Sequence, residues 1–129
     1  MTEIEEVMRT TIATIDGKAT VDEACRLMGE KHIGSVIVTV DEKPWGIFTE
    51  RDLLSRVMMN NVDIKTAEIK NFSSNPLVTI TPDTHILEAA RIMNDLKIKR
   101  LLVMENNEII GIFTASDLAD VLSKSPLDF

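Results

Sequence analysis

Gly46-Ile47-Phe48-Thr49-Glu50-Arg51-Asp52 returns as Gly111-Ile112-Phe113-Thr114-Ala115-Ser116-Asp117, 65 residues further on. The same offset carries Leu53 onto Leu118, Glu23-Ala24 onto Glu88-Ala89, Arg26 onto Arg91 and Met28 onto Met93. It carries Thr14-Ile15 onto Thr79-Ile80, Ile33 onto Ile98 and Val38 onto Val103, with no gap between Thr14 and Leu53. So many matches in one register mean an internal duplication, and a duplication decides the architecture before any single element does.

Each copy reads in the same order. A short extended segment begins at Thr14-Ile15 or Thr79-Ile80. An apolar stripe at helical spacing follows: Val21, Ala24, Cys25 and Met28, or Ile86, Ala89, Ala90 and Met93. Thr20 with Glu23 is a capping box for the first helix. His85 stands at that place in the second copy, so its helix is expected to start from Asp83 or Thr84. The runs Ser35–Val40 and Arg100–Met104 read as strands. Polar breaks at Asp41-Glu42-Lys43 and Glu105-Asn106-Asn107 predict hairpins into second strands, Trp45–Phe48 and Ile109–Phe113. A second helix opens after each threonine, over Arg51–Met59 and Ser116–Leu122.

The fold class is therefore α/β (α+β), two βαββα-type repeats. Residues 1–60 form the first, 61–75 a linker rich in turn formers, and 76–125 the second. A unit of roughly 60 residues buries little core. The two are thus expected to pack about a pseudo-twofold axis as one globular module.

Bulk composition narrows the function classes. The 129 residues are 44% hydrophobic and 27% charged, which is ordinary globular composition. A net charge of −7 disfavours DNA, RNA and anionic bilayers as partners. The acidic N-terminus lacks an apolar signal core and no apolar run approaches membrane-spanning length, so a cytoplasmic location is expected. A single cysteine, Cys25, excludes an intrachain disulfide and reads as a small buried hydrophobe or, alternatively, a reactive thiol. His32 and His85 lack metal-ligand spacing, and no nucleophile elbow, phosphate loop or paired catalytic carboxylates occur. No metal site and no enzymatic activity are expected.

The feature that can carry chemistry is Gly-apolar-apolar-Thr-x-x-Asp. A glycine inside a strand marks close approach of a backbone or a ligand. The Thr and Asp have two readings. They are an ordinary helix cap, or the Asp accepts a ribose diol while the Thr hydroxyl reaches a phosphate or the sugar. Lys97-Ile98-Lys99-Arg100 is the one dense basic stretch. It is either a solvated loop or a phosphate clamp. Its copy-one counterparts include Gly34 and Ser35, which carry no charge. Met58-Met59 ends a helix with more apolar residues than one face needs, and reads as core packing or as a self-association surface.

Taken together, Glu23-Ala24 to Met28, Ile33 to Val38, the Gly46–Asp52 motif and their second copies resemble a tandem pair of CBS (cystathionine β-synthase) domains, from about Met8 to Leu122. The resemblance implies a disc-like regulatory module whose two clefts bind adenosine-containing ligands: AMP, ADP, ATP or S-adenosylmethionine. No cofactor is required. Carried over by residue, the first cleft would use Thr49, Asp52 and Arg51, with Lys99 and Arg100 reaching across to phosphates and Thr11, Ile12 and Ala13 at the base. The second would use Thr114 and Asp117, with Leu77 and Val78 at the base and only Gly34 and Ser35 crossing. It is expected to bind phosphorylated ligands more weakly. The resemblance further implies a homodimer, acting as a free sensor or on a target protein in trans. The competing reading is a ligand-free structural module for dimerisation or partner docking.

Overall fold

The structure is a computed structural model, and it describes residues 2–124. Met1 and the end of the second repeat at 125 lie outside the described residues. In chain order the elements are α1 (Ile4–Val7), β1 (Thr14–Asp16), α2 (Val21–Lys31), β2 (Ser35–Val40), β3 (Lys43–Thr49) and α3 (Glu50–Asp52). A π-helical turn (Leu53–Val57) and two 3-10 turns (Met58–Asn60, Ile69–Phe72) follow. The second half holds β4 (Thr79–Ile80), α4 (Ile86–Leu96), β5 (Arg100–Glu105), β6 (Glu108–Thr114) and α5 (Ala115–Lys124). This is the mixed α/β repeat that the duplicated sequence predicts.

Two three-stranded sheets result, in the orders β1-β2-β3 and β4-β5-β6. In each, the first pair is parallel and joined through a helix, and the second is an antiparallel hairpin. The hairpins turn at Asp41-Glu42 and Asn106-Asn107, all four at positive φ. That twist matches the right-handed twist of the flanking strands. Both hairpins carry a bulge at the same place, after Val38 and after Val103, opposite Gly46 and Gly111.

Helix α2 starts as the sequence predicts, with Thr20 accepting from the Glu23 N–H at 3.1 Å. Helix α4 does not start from Asp83 or Thr84. Its cap is His85, whose Nδ1 accepts from the Leu87 N–H at 3.1 Å. An imidazole nitrogen can take the place of a hydroxyl oxygen as the cap acceptor, so the second copy keeps the helix start of the first. Neither helix ends on glycine. His32 and Lys97 close them in the left-handed conformation, with φ of 54° and 56°.

The chain divides into two compact units, Ile12–Leu77 and the stretch up to Thr11 together with that from Val78 onward. These boundaries differ from the repeat boundaries read in the sequence, 1–60 and 76–125 with a linker between. The reason is local. Ile69 N–H donates to Ala19 O and Lys70 N–H to Gly17 O, while Ser74 and Ile47 exchange two backbone bonds. The stretch read as a linker is thus hydrogen-bonded onto the first repeat. Sixty-five residues earlier the same pattern appears. Ile4 N–H donates to Thr84 O, and Arg9 and Ile112 exchange two backbone bonds. The leader of each repeat closes the sheet of the other repeat.

The motif glycines make this possible. A Cβ at Gly46 would lie 2.6 Å from the Ser74 carbonyl oxygen, and one at Gly111 would lie 3.0 Å from that of Arg9 and 2.5 Å from Met8 Sδ. What approaches these strands closely is a backbone, not a ligand.

Each unit has its own core. In one, Val21, Ala24 and Met28 pack on Val36, Val38 and Phe48, with Ile69 from the leader fully buried. In the other, Ile86, Ala89 and Met93 pack on Leu101, Val103 and Phe113, with Ile4 in the place of Ile69.

Candidate functional site

The Thr-x-x-Asp junctions are the places where buried polar groups gather. Thr49, Asp52 and Asp117 are each less than 9% exposed. The strand delivers the threonine, and the helix that starts after it returns the aspartate to the threonine backbone.

In the first junction the Thr49 N–H donates to Asp52 Oδ2 at 3.0 Å, and the Thr49 hydroxyl lies 3.1 Å from the same oxygen. The Asp52 N–H donates back to Thr49 Oγ1 at 3.2 Å. This is a complete reciprocal cap. The second oxygen, Oδ1, faces Arg56 Nε at 3.5 Å, an ion pair rather than a close hydrogen bond.

The second junction repeats the backbone part. Thr114 N–H donates to Asp117 Oδ2 at 3.0 Å, and Asp117 N–H to Thr114 Oγ1 at 3.2 Å. Its Oδ1 differs, because Arg9 Nε donates to it at 2.7 Å. Both carboxylates are therefore met by an arginine from a different source: four residues on in the same helical segment, or from the leader. Asp117 has both oxygens engaged in close hydrogen bonds, and Asp52 has one. Sequence reading missed both arginines. The spacing of Asp52 and Arg56 was a visible signal for one, while Arg9 could be placed only once the leader was known to cross to the second repeat.

The other residues expected at the clefts fall as follows. Ser35 is the cross-strand partner of Thr49, and Arg100 that of Thr114. Lys99 is exposed, and its carbonyl accepts the Ala115 N–H. Within one unit, then, Lys99 and Arg100 stand beside the threonine of their own repeat. Arg51 is exposed on α3. Ala13 is buried, and its carbonyl accepts from the Ile37 N–H; Val78 does the same for Leu102. Those carbonyls are engaged in their sheets. Thr11 is exposed, and Ile12 and Leu77 are half-buried. Thr11 and Ile12 lie on either side of one unit boundary, and Leu77 and Val78 on either side of the other.

A hollow of about 340 Å³ opens beside the first junction, between α2 and the segment after Thr49. Cys25, Met28, His32, Gly34, Glu50 and Leu53 line it. Cys25 is half-buried at this wall, and burial pushes its thiol above its ordinary value of 9.0, with Asp22 adding to the rise. That is the behaviour of a packed thiol and not of a reactive one. Among the described residues no three His, Cys, Asp or Glu side chains are grouped as a metal ion would require, and no helix is long and apolar enough to cross a membrane.

Two sheets of one repeated design, each joined to its helix by a Thr-x-x-Asp cap, define a duplicated α/β module. The CBS-domain family model matches residues 4–59 and again 69–124. The chain belongs to the CBS-domain family. It is 36% identical over 121 residues to an uncharacterized protein of Methanopyrus kandleri, covering 92% of this chain and 61% of that one. It is 29% identical to the CBS domain-containing protein YhcV of Bacillus subtilis, covering 92% of this chain and 84% of that one. Among solved structures, an uncharacterized conserved protein of Pyrococcus horikoshii superposes with a TM-score of 0.83 at 31% identity, over 92% of this chain and 90% of that one. A hexameric CBS-CP12 protein from bloom-forming cyanobacteria gives 0.86 at 29% identity, over 98% of this chain and 75% of that one.

Proposed function

We propose that this chain is a sensor module that binds an adenosine-containing ligand (AMP, ADP, ATP or S-adenosylmethionine) at its Thr-x-x-Asp junctions and passes the signal to a partner. The observation that carries the reading is the uneven engagement of the two carboxylates. Asp52 is buried, yet one of its oxygens lacks a close hydrogen bond, as an acceptor for ribose hydroxyls requires. Asp117 is already held on both oxygens. The Thr49–Asp52 junction is therefore the tighter site, and Thr114–Asp117 the weaker. Lys99, Arg100 and Arg51 supply positive charge for phosphates in an otherwise acidic chain. The module self-associates through its exposed apolar helical residues, Leu54, Met58 and Met59. The hexameric state of the CBS-CP12 protein, a structural relative, is in keeping with this.

The test is melting temperature against AMP, ADP, ATP, S-adenosylmethionine and GTP. A ligand at 100 times its dissociation constant stabilises by about 2.7 kcal/mol, which is a rise of several degrees at roughly 2–8 °C per kcal/mol. Asp52→Asn is the informative variant. It keeps an acceptor for the cap but removes the charge that favours a diol. The shift should vanish in Asp52→Asn and persist in Asp117→Asn. No shift with any compound, in folded protein, would instead favour the structural module, a reading supported by the capping bonds that both aspartates already make.

A further inference from the structure

Arg9 and Ser74 stand 65 residues apart, the offset of the repeat. Each exchanges two backbone hydrogen bonds with the motif strand of its own unit, Arg9 with Ile112 and Ser74 with Ile47. They hold the same place in the two units, and their side chains differ in reach. The Arg9 guanidinium extends to Asp117 and donates from Nε to Oδ1 at 2.7 Å. A serine is too short for that span. Among the described residues Asp52 Oδ1 meets Arg56 alone, at 3.5 Å. The Asp117 side chain is 8% exposed and the Arg9 side chain 67%. The carboxylate is thus enclosed, while the arginine that covers it lies mostly in water. Its backbone is pinned by the bonds to Ile112, and exposed side chains change rotamer freely. The guanidinium can therefore leave the carboxylate without any movement of the leader.

We propose that Arg9 is a tethered competitor of the ligand at the Thr114–Asp117 junction. Its Nε–H takes the carboxylate oxygen that a ribose hydroxyl would use. Being part of the same chain, it does so at a high effective concentration. A ligand with a ribose diol must displace it and so break a charge-assisted hydrogen bond. Arg9 sets the difference between the junctions, and Ser74 leaves the Thr49–Asp52 junction open. The inference rests on the sensor reading above and adds which residue withholds the second site. The direction of the effect separates this role from the ordinary one. An arginine that grips a phosphate strengthens binding, and its removal weakens it. Removal of a competitor strengthens binding.

The experiment is titration calorimetry of AMP, ADP, ATP and S-adenosylmethionine into the full chain carrying Asp52→Asn, where the first junction is disabled and the heat reports the second. Circular dichroism confirms that each variant is folded. Adding Arg9→Ser, which copies the first repeat, is expected to tighten binding by about tenfold to a hundredfold, the worth of one charge-assisted hydrogen bond. Adding Asp117→Asn as well should abolish the gain, because no carboxylate is left to be freed. Unchanged or weaker binding on adding Arg9→Ser, or a gain that survives Asp117→Asn, would overturn the competition. The sensor reading would still stand if the unaltered chain binds in a way that depends on Asp52. An unaltered chain that binds none of the four compounds would overturn both.

Discussion

The glycine of the duplicated motif shows how one residue can carry two readings that only packing separates. In the sequence it marks a close approach without naming what approaches. The structure assigns that role to the backbone of a leader at both places, but the contacts differ. At Gly46 the nearest atom is a carbonyl oxygen, which is fixed by its own bonds to Ile47. At Gly111 it is the sulfur of Met8, the end of a flexible side chain. Gly46→Ala should therefore cost more than Gly111→Ala, about 1–3 kcal/mol against less than half of that, since overpacking costs what the neighbour cannot yield. Urea unfolding reads the difference, and equal losses would mean that the leader and not the side chain gives way. Removing the clashing atoms at the second place, with Met8→Ala in the Gly111→Ala background, should recover part of the smaller loss. Cys25 offers a separate check. Its thiol is raised in the fold, so the native state holds that proton more tightly than the unfolded chain does. Stability from this source is intact below about pH 9 and declines as pH rises through the folded value. Cys25→Ala should remove that alkaline slope, whatever it does to stability at neutral pH.

Helices and strands were legible where the repeat speaks twice, and illegible where one copy departs. β2, β5 and both hairpins follow from β-branched runs and polar breaks. The second helix was read in both repeats, over Arg51–Met59 and Ser116–Leu122, but its winding in the first was not. After α3 the first repeat widens into the π-helical turn Leu53–Val57, while α5 continues as a regular helix to Lys124. The turn adds one residue. Val57 joins the core of its unit, and the residue that packs on the other core is Val121, an offset of 64 where the motif before it keeps 65. A one-residue slip in a short apolar helix leaves no mark in composition, because Leu53, Leu54 and Val57 suit either winding. The wide turn also turns Arg56 toward Asp52 and the Ser73 carbonyl. The cap of α4 was missed for a related reason: His85 is not a usual cap residue, and only its equivalence to Thr20 argued for it. Helix α2 carries one residue that its element does not need. Gly29 is exposed, and a Cβ there would meet nothing within 4 Å. Gly29→Ala should stabilise the chain by about 0.5–1 kcal/mol, the helix-propensity difference, seen as a melting temperature a few degrees higher.

The leaders lay beyond the sequence reading because it stopped the repeat at Thr14, although Glu3-Ile4 and Glu68-Ile69 continue the same 65-residue register. Turn formers at Ser73, Ser74 and Asn75 suggested a linker, and what settles the matter is burial, since Ile4 and Ile69 are both fully enclosed. Each is the anchor by which one repeat's leader completes the other repeat's core. The crossing has a consequence that connectivity along the chain would not suggest. Damage at the very start of the sequence should be felt from Val78 onward, and damage before β4 should be felt in the first repeat. Removing a buried isoleucine to alanine costs about 2–5 kcal/mol. Ile4→Ala should lower amide protection in β5 and β6 ahead of β2 and β3, and Ile69→Ala should do the reverse. Hydrogen exchange resolved by fragment separates these, because local opening reports the unit that has been loosened before global unfolding reports both. Protection falling first in the repeat that contains the altered residue by sequence would contradict the crossing. A uniform fall in both would mean that the two units unfold as one cooperative body.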